Sequence, residues 1–401
     1  MKIDRNNSLP LYIQVRENLR SQIESGEIKP LESLPNEADL CNQYQVSQIT
    51  IKKSLSDLQN EGYITRIKRK GTFVTFNKSQ GRRKEDLRVG TKSLAFIVPD
   101  VEDIFISEIC RGIEKAATGF GYRVLILNSD RNIEKEAANI GLLEKSDIEG
   151  AVIFPFWGRF NALQIFNLKK RKFPFVLIDR YFRDIQTDLV VVDNFNGALQ
   201  AVGHLSSQGH KKIAHIMGVE CTANEDRFEG YRAALQKADI PFNLSLVRKI
   251  QPFEIEGSLR FEPDDTGGYR EMKALLSRKE RLTAVFAGND YIALGCYKAI
   301  KEAGLRVPDD IALVGFDDLK FSAHLEVPLT TVHQPKDEIG TKACETLIGK
   351  IRRGTKKMKH IVLPAELVVR ESSRRKTSSG CHSEQNEKFR PVKTNKENTY
   401  V

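Results

Sequence analysis

Residues 34–76 read LPNEADLCNQYQVSQITIKKSLSDLQNEGYITRIKRKGTFVTF, a stretch that predicts two short helices followed by a β-hairpin. Asn36 is placed to cap the first helix and Ser47 the second, because both side chains can accept a hydrogen bond from a free backbone N–H. Gly62 ends the second helix, and a basic tip separates two β-rich runs. The predicted bounds are residues 36–44 and 48–60 for the helices, and 63–68 and 72–76 for the strands.

A third helix precedes this stretch at residues 9–25, where apolar side chains recur every three or four positions and Gly26 follows as a C-terminal cap. Three helices and a hairpin predict a winged helix-turn-helix over residues 1–77. An α-helix of this kind fits the major groove of DNA, and side chains in its first turns reach the base edges.

The polar face of the helix at residues 48–60 provides the candidate DNA contacts. We expect Gln48 and Thr50 to read bases, and Lys52 and Lys53 to hold phosphates. The hairpin tip adds basic side chains, and a glycine there permits close approach to the backbone. The alternative is that these are ordinary surface charges. The candidate DNA-binding residues are Asn36, Gln48, Thr50, Lys52, Lys53, Arg69, Lys70 and Gly71.

The net charge of +10 at pH 7 is unevenly distributed. Residues 1–92 carry six more basic than acidic residues and residues 374–401 carry four more, so residues 93–373 are neutral. Neutralisation of phosphates supplies most sequence-independent affinity for DNA. The distribution therefore indicates that the N-terminal part meets a polyanion, although basic linkers and tails can also be merely solvated.

Residues 93–373 alternate apolar strand-like runs with helical stretches, which is typical of parallel sheets covered by helices on both faces. The predicted strands include residues 175–178, 213–217 and 284–287, and the predicted helices include residues 107–119. This length predicts an α/β body of two doubly wound lobes with a cleft between them. We assign residues 93–192 and 335–360 to the first lobe, and 193–334 and 361–373 to the second. Residues 78–92 are predicted to be a linker, and 374–401 a disordered tail.

The sequence also lacks several signals. The six cysteines form no C-x-x-C pair, and there is no apolar leader and no apolar run of about 18 residues. No metal-ligand spacing, nucleophile elbow or phosphate-binding loop is visible. We therefore expect a cytoplasmic protein with no membrane association that is not an enzyme and uses no cofactor or metal.

The N-terminal segments LPLYIQVRENLRSQI, LPNEADLCNQYQVSQITIKKSLSDLQNEGYI and RKGTFV resemble the GntR family of winged-helix regulators. That family commonly has arginine at the positions of Gln48 and Lys52. The resemblance implies DNA binding by the same surface but leaves the operator sequence open.

The body is similar to the LacI-type regulators and, through them, to periplasmic sugar-binding proteins. The motifs that carry this likeness include LIDRYF (177–182), RFEGYRAAL (227–235), AGNDYIALG (287–295), LRVPDDIALVGFDD (305–318) and PLTTVHQPKDEIG (328–340). A GntR-type head on a LacI-type body resembles the arabinose-repressor class of transcription regulators.

A sugar site requires carboxylates, amides and guanidinium groups for hydroxyls, and aromatic faces for the ring. Polar residues of these types follow predicted strands, namely Asp179-Arg180, Asn289 and Asp317, where ligands of open α/β sheets bind. The plain alternative is that such residues cap the next helix, as Asn289 or Asp290 could do, and for Asp290 we favour the cap. The resemblance marks as ligand-binding Phe105, Ile106, Asp179, Arg180, Arg227, Phe261, Asn289, Asp317 and Gln334.

These observations predict a homodimeric, sequence-specific DNA-binding regulator, a repressor of a carbohydrate-utilisation operon that a monosaccharide releases from double-stranded operator DNA. One alternative is a sugar-binding transport receptor, against which the DNA-binding head argues. Another is a regulator that responds to a non-sugar ligand. An enzyme with an aminotransferase-like body is a third alternative, although no cofactor-lysine context is visible.

Overall fold

The computed structural model describes residues 9–29, 32–67, 71–75, 92–157, 160–255, 258–260, 264–278, 281–354 and 357–374. The chain divides into two compact units, Met1–Thr91 (the head) and Lys92–Val401 (the body). Most of the predicted linker and all but the first residue of the predicted tail lie outside the described residues, as do Arg69, Lys70 and Phe261.

The head is a winged helix-turn-helix, as the sequence predicts. Its elements are α1 (Leu11–Ser25), α2 (Glu37–Tyr44), α3 (Gln48–Asn60), β1 (Ile64–Ile67) and β2 (Gly71–Val74). The Asn36 side chain accepts from the N–H of Asp39 at 2.9 Å, and Ser47 accepts from Thr50, so both predicted caps are present. The strands pair antiparallel around a core that includes Leu19, Leu55 and Val74.

The first lobe of the body is built on a six-stranded parallel sheet of order β15-β7-β6-β5-β3-β4. Side chains of β3 alternate between two apolar clusters: Phe96 packs with α4 and α11, and Ile97 packs with α5 and α6. The elements are β3 (Lys92–Val98), α4 (Ile104–Gly119), β4 (Tyr122–Asn128), α5 (Ile133–Leu142), β5 (Ile148–Ile153), α6 (Ala162–Lys170), β6 (Phe175–Ile178), β7 (Asp188–Val192), α11 (Lys336–Arg353) and β15 (His360–Leu363).

The second lobe holds a four-stranded parallel sheet of order β13-β12-β8-β9, together with the antiparallel pairs β10-β11 and β14-β16. Its elements are α7 (Asn194–Ser207), β8 (Ile213–Met217), α8 (Thr222–Lys237), β9 (Val247–Lys249), β10 (Phe253–Ile255), β11 (Ser258–Arg260), α9 (Asp264–Leu276), β12 (Ala284–Ala287), α10 (Asp290–Glu302), β13 (Ala312–Val314), β14 (Thr331–His333) and β16 (Glu366–Val368).

The chain passes between the lobes after β7, after β14 and after β15. β15 continues the first sheet to Leu363, beyond the predicted limit near residue 360. These passages bring the carboxyl ends of both parallel sheets to one cleft, where ligands of doubly wound sheets bind. Within the described residues, no helix is long and apolar enough to span a bilayer.

Candidate functional site

The cleft between the lobes holds about 510 Å³ of empty space when its open mouth is included. Its walls combine carboxylates, guanidinium groups, amides and aromatic rings. Seven of the predicted ligand residues line it: Phe105, Asp179, Arg180, Arg227, Asn289, Asp317 and Gln334. The other lining residues are Asp103, Phe154, Val219, Cys221, Ala223, Asn224, Asp264 and Tyr291.

Asp179 and Arg180 enter the cleft from the end of β6. Asp179 has a φ of +60°, uncommon for a residue with a side chain, and its N–H donates to the carbonyl of Val190 at 3.1 Å. The Arg180 guanidinium donates to the Phe156 carbonyl and lies over the ring of Phe154, 5.1 Å from its centroid. Its Nε is buried and 3.4 Å from the Asp179 carboxylate, with no hydrogen bond to the described residues.

Arg227 from α8 is only 5% exposed and is held on several sides. Its Nε donates to Asn194 at 2.8 Å, and one terminal nitrogen donates to the carbonyl of Gly288 at 2.7 Å. The guanidinium lies 3.8 Å from the centroid of the Phe316 ring. The other terminal nitrogen is 3.8 Å from the Asp317 carboxylate, so the positive charge is fixed at the cleft with little freedom to move.

Asp317 occupies the turn after β13 with a φ of +116°, and its N–H donates to the carbonyl of Val332 at 2.8 Å. The Gln334 amide donates to the Asp317 carboxylate at 2.6 Å. Burial raises the pKa of Asp317 well above its usual range, although the charge of Arg227 opposes the shift. The amide oxygen of Gln334, a residue 1% exposed, accepts no hydrogen bond from the described residues.

Asn289 caps α10, since its side-chain oxygen accepts from the N–H of Ile292 at 2.8 Å, and its amide donates to Asp264 at 2.5 Å. The expectation that Asp290 is the cap is therefore wrong. The Asp290 carboxylate is fully buried and accepts from Leu319, Ser322 and Thr331, with Ser322 at 2.6 Å. Asn289 combines the capping role with a position on the cleft wall.

The three predicted aromatic and apolar contacts have different outcomes. Phe105 lines the cleft and meets Phe154 edge-on, with centroids 6.2 Å apart. Ile106 points into the apolar core of the first lobe and does not line the cleft, because α4 starts at Ile104 and so turns this side chain inward. Phe261 lies outside the described residues.

Sequence reasoning missed several polar lining residues, among them Asp103, Asp264 and Tyr291. Asp103 caps α4, accepting from the N–H of Phe105 at 2.9 Å, which is why this helix begins before the predicted residue 107. Burial raises the pKa of Asp103 to about 6, with backbone hydrogen bonding opposing it. The signal that could have found these residues is their spacing, since Asp103 and Tyr291 each lie two positions from a predicted ligand residue.

In the head, two of the four predicted DNA-contacting side chains of α3 lie next to Glu37. The Gln48 amide donates to this carboxylate at 3.4 Å, and the Lys52 ammonium lies 4.0 Å from it. The Thr50 hydroxyl is 2.9 Å from Ser47, and Lys53 pairs with Asp57 at 3.1 Å.

Three further residues of the head concern the proposed DNA contacts: a glycine, an apolar residue and a helix cap. Gly71 starts β2 with a φ of +123°, a conformation that favours glycine. Ile49, which the sequence did not single out, is 81% exposed on the first turn of α3. Asn36 is exposed beside this surface, with its side-chain oxygen committed to the cap of α2.

Comparisons with known protein families match the head and the body separately. The gntR family of bacterial regulatory proteins matches residues 11–74, and the periplasmic binding protein-like domain matches residues 202–373. The arabinose metabolism transcriptional repressor of Geobacillus stearothermophilus is 30% identical over 381 residues, covering 92% of this chain and 99% of that protein. The ribose operon repressor of Escherichia coli K12 is 31% identical over 284 residues, 71% of this chain and 82% of that protein.

Solved structures of transcription regulators also match this chain. A complex of the transcriptional regulator CelR with cellobiose matches with a TM-score of 0.63 and 26% identity, covering 82% of this chain and 92% of that one. A LacI family regulator from Enterococcus faecium with bound ribose matches with a TM-score of 0.59 and 28% identity, covering 70% and 98%. These relatives are transcription regulators rather than enzymes, in agreement with the prediction from sequence.

Proposed function

We propose, from the premise that this chain belongs to the transcription regulators that join a gntR-family head to a periplasmic-binding-protein-like body, that it represses a carbohydrate-utilisation operon. A monosaccharide bound in the cleft of the body would release the head from operator DNA. The proposal places the protein in the cytoplasm, where operator DNA lies, and makes it a homodimer.

The observation that carries the ligand proposal is a pair of buried polar atoms in the cleft that have no hydrogen-bond partner among the described residues, the amide oxygen of Gln334 and the Nε of Arg180. Buried polar groups are nearly always hydrogen-bonded, so these atoms indicate a ligand with both a donor and an acceptor. A hydroxyl is both at once. Neighbouring hydroxyls of a sugar ring would also reach the carboxylates of Asp179 and Asp317, while Phe105 would cover an apolar ring face.

The DNA-binding proposal assigns distinct roles to the residues of α3. Gln48 and Thr50 on the first turn would meet base edges, and the exposed ammonium groups of Lys52 and Lys53 would meet phosphates. Asn36 would offer its amide nitrogen to a phosphate, since only its oxygen is used by the cap. Arg69, Lys70 and Gly71 at the tip of the hairpin would contact the DNA backbone beside the groove.

A homodimer would present two heads to a near-palindromic operator, because a two-fold symmetric protein matches a two-fold symmetric site. Closure of the lobes around the sugar would change the spacing of the heads. Sedimentation equilibrium of the full chain tests this directly, and a monomer at micromolar concentration would contradict it.

The test of the function uses fluorescence anisotropy with duplex DNA selected from a random pool by the full-length protein. Addition of pentoses and hexoses, one at a time, is expected to weaken binding by about five- to 150-fold for the correct sugar. A specific duplex that no monosaccharide displaces would leave the regulator without its proposed ligand class and would favour a non-sugar effector. Failure to bind any duplex would refute the repressor itself and favour a sugar receptor.

A further inference from the structure

The charges that line the cleft do not balance. Its described walls carry the carboxylates of Asp103, Asp179, Asp264 and Asp317 and two guanidinium groups. One further cation, the buried ammonium of Lys336, donates to the carbonyl of Asp317, so the acidic groups still outnumber the basic ones. Each guanidinium already has a counter-charge: Arg180 is 3.4 Å from Asp179, and Arg227 is 3.8 Å from Asp317.

The two remaining carboxylates have other partners. Arg131 interacts electrostatically with Asp103, but it forms its ion pair with Asp100, at 2.9 Å. The Asp103 carboxylate accepts from a backbone N–H, and the Asp264 carboxylate accepts from the neutral amide of Asn289. Among the described residues, neither carboxylate forms a close ion pair, although the charge of Arg180 acts on both from a greater distance.

These carboxylates face the cleft from opposite sides. Asp103 precedes α4 in the first lobe, and Asp264 is the first residue of α9 in the second lobe. The charge of Asp264 contributes to the raised pKa of Asp103, so the two carboxylates are close enough to interact. Among the described residues, no three acidic, His or Cys side chains are arranged to hold a metal ion.

We propose that Asp103 and Asp264 make the cleft selective against anions, so that its ligand is a monosaccharide without negative charge, either neutral or aminated. Sugar phosphates and sugar acids are excluded. This inference rests on the proposed function, and it adds two selectivity-determining residues to the site. Like charges a few ångströms apart in a partly buried cleft repel strongly, and we expect anionic derivatives to bind about 100-fold more weakly than their parent sugars.

The test compares the full-length protein with the double variant Asp103→Asn/Asp264→Asn. Asparagine keeps the oxygen that caps α4 and the oxygen that accepts from Asn289, while it removes both charges. Isothermal titration calorimetry would use arabinose, ribose, xylose, glucose and galactose, then ribose 5-phosphate, glucose 6-phosphate, glucuronate, galacturonate and glucosamine. The quantity to compare is the ratio of the dissociation constants of an acid or phosphate and its parent sugar.

For the wild type this ratio is expected to be about 100 or more, and for the double variant below about 10. Exclusion by size alone would leave the ratio unchanged in the variant, and that result would overturn the proposal. An anionic sugar that binds the wild type as tightly as its parent sugar would also overturn the proposal. In that case the proposed function, a ligand-controlled regulator, would remain valid. If none of these probes binds either protein while DNA binding persists, the monosaccharide itself is wrong, and this inference fails with it.

The matched control is Asp193→Asn. Asp193 caps α7 through the N–H of Asn196 at 3.0 Å, which is the same role that Asp103 has at α4, but it does not line the cleft. Its ratio is expected to equal that of the wild type. Thermal unfolding of each variant checks that the body stays folded.

Discussion

At the scale of single residues, the cleft depends on backbone conformations that residues with side chains rarely adopt. Asp179 and Asp317 have φ values of +60° and +116°, each directly after or near the end of a parallel strand. Such conformations cost free energy and persist where the surroundings hold them, which is common at binding sites. Here the N–H of each residue donates to a carbonyl of a neighbouring segment, so the turn aims the carboxylate into the cleft.

Replacement of Asp317 by Asn should remove most of the response to sugar. The substitution keeps the shape but removes a charge-assisted hydrogen bond to the ligand and the counter-charge of Arg227. A loss of about 2–3 kcal/mol in sugar binding is expected, roughly 30- to 150-fold in the dissociation constant. Calorimetry checks this value.

Asp310→Asn serves as the control for this prediction, since Asp310 pairs with Arg306 on the surface. Operator affinity without sugar should change little in either variant. Sugar-dependent release that survives in Asp317→Asn would contradict the assignment of this residue to the ligand.

The selectivity against anions should weaken in acid. Asp103, whose pKa is raised to about 6, loses its charge as the pH falls from about 7.5 to about 5. Arg131, Arg180, Asp264 and Tyr291 interact with it electrostatically, and the arginines stay charged throughout. The affinity for glucuronate, which stays ionised over this range, should therefore rise relative to that for glucose as the pH falls.

Competition binding at several pH values measures this ratio of affinities. Asp103→Asn should reduce its pH dependence, and the part that remains is assigned to Asp317, the other carboxyl of the cleft whose pKa is raised. A ratio independent of pH in the wild type would show that Asp103 carries no charge that the ligand meets.

At the scale of elements, the sequence predicts strands that are covered on both faces. The strands at residues 175–178, 213–217 and 284–287 have the predicted limits, because each is a short apolar run between polar or glycine residues. β9, β14 and β16 were missed: each has three residues of mixed polarity, and their pairing depends on distant segments.

The same contrast applies to the candidate site. Asp179, Asn289 and Asp317 were predictable because they follow strands, where open α/β sheets bind ligands. Asp103 and Asp264 stand at the starts of helices, where an acidic residue is common as a cap or in the first turn and needs no ligand to explain it. Asp103 and Asp264 meet at one cleft only because the two lobes fold against each other, and no local sequence pattern predicts that contact.

Helices α4 and α11 approach closely because glycines lie at their crossing. A Cβ added at Gly340 would stand 2.1 Å from the carbonyl oxygen of Ile109, whereas one added at Gly349 of the same helix would meet nothing within 4 Å. Gly340→Ala is therefore expected to lower the free energy of unfolding by about 1–3 kcal/mol. Gly349→Ala should raise it by about 0.5–1 kcal/mol, since alanine favours helix.

Urea unfolding monitored by the fluorescence of Trp157, the single tryptophan of the chain, reports on the first lobe, which contains both glycines. Equal effects of the two substitutions would mean that the helices do not cross at Gly340.

Two substitutions in α3 should separate affinity for DNA from recognition of its sequence. Lys52 is exposed and 4.0 Å from Glu37, so Lys52→Ala should weaken binding to all duplexes and lower the salt slope by about 1 for each head. Gln48→Ala should instead reduce the preference for the selected duplex by about 1–3 kcal/mol. Anisotropy titrations at several salt concentrations distinguish these effects, with Lys298→Ala on the body as control.

At the scale of the whole molecule, the coupling between sugar and DNA must be reciprocal. If sugar lowers the affinity for operator by a given factor, operator lowers the affinity for sugar by the same factor, because both binding orders lead to one ternary state. A coupling of about 1–3 kcal/mol, roughly five- to 150-fold, is expected.

Calorimetric titration of sugar into the free protein and into its complex with operator gives one factor, and anisotropy with and without sugar gives the other. Asp317→Asn should change both factors by the same amount, because they are two measurements of one coupling free energy. If the calorimetric factor and the anisotropy factor differ beyond error, the two titrations do not report on the same equilibrium between protein, sugar and operator. Sugar that binds the body with the same affinity in both conditions would separate the cleft from the head altogether, and the regulator would need another signal.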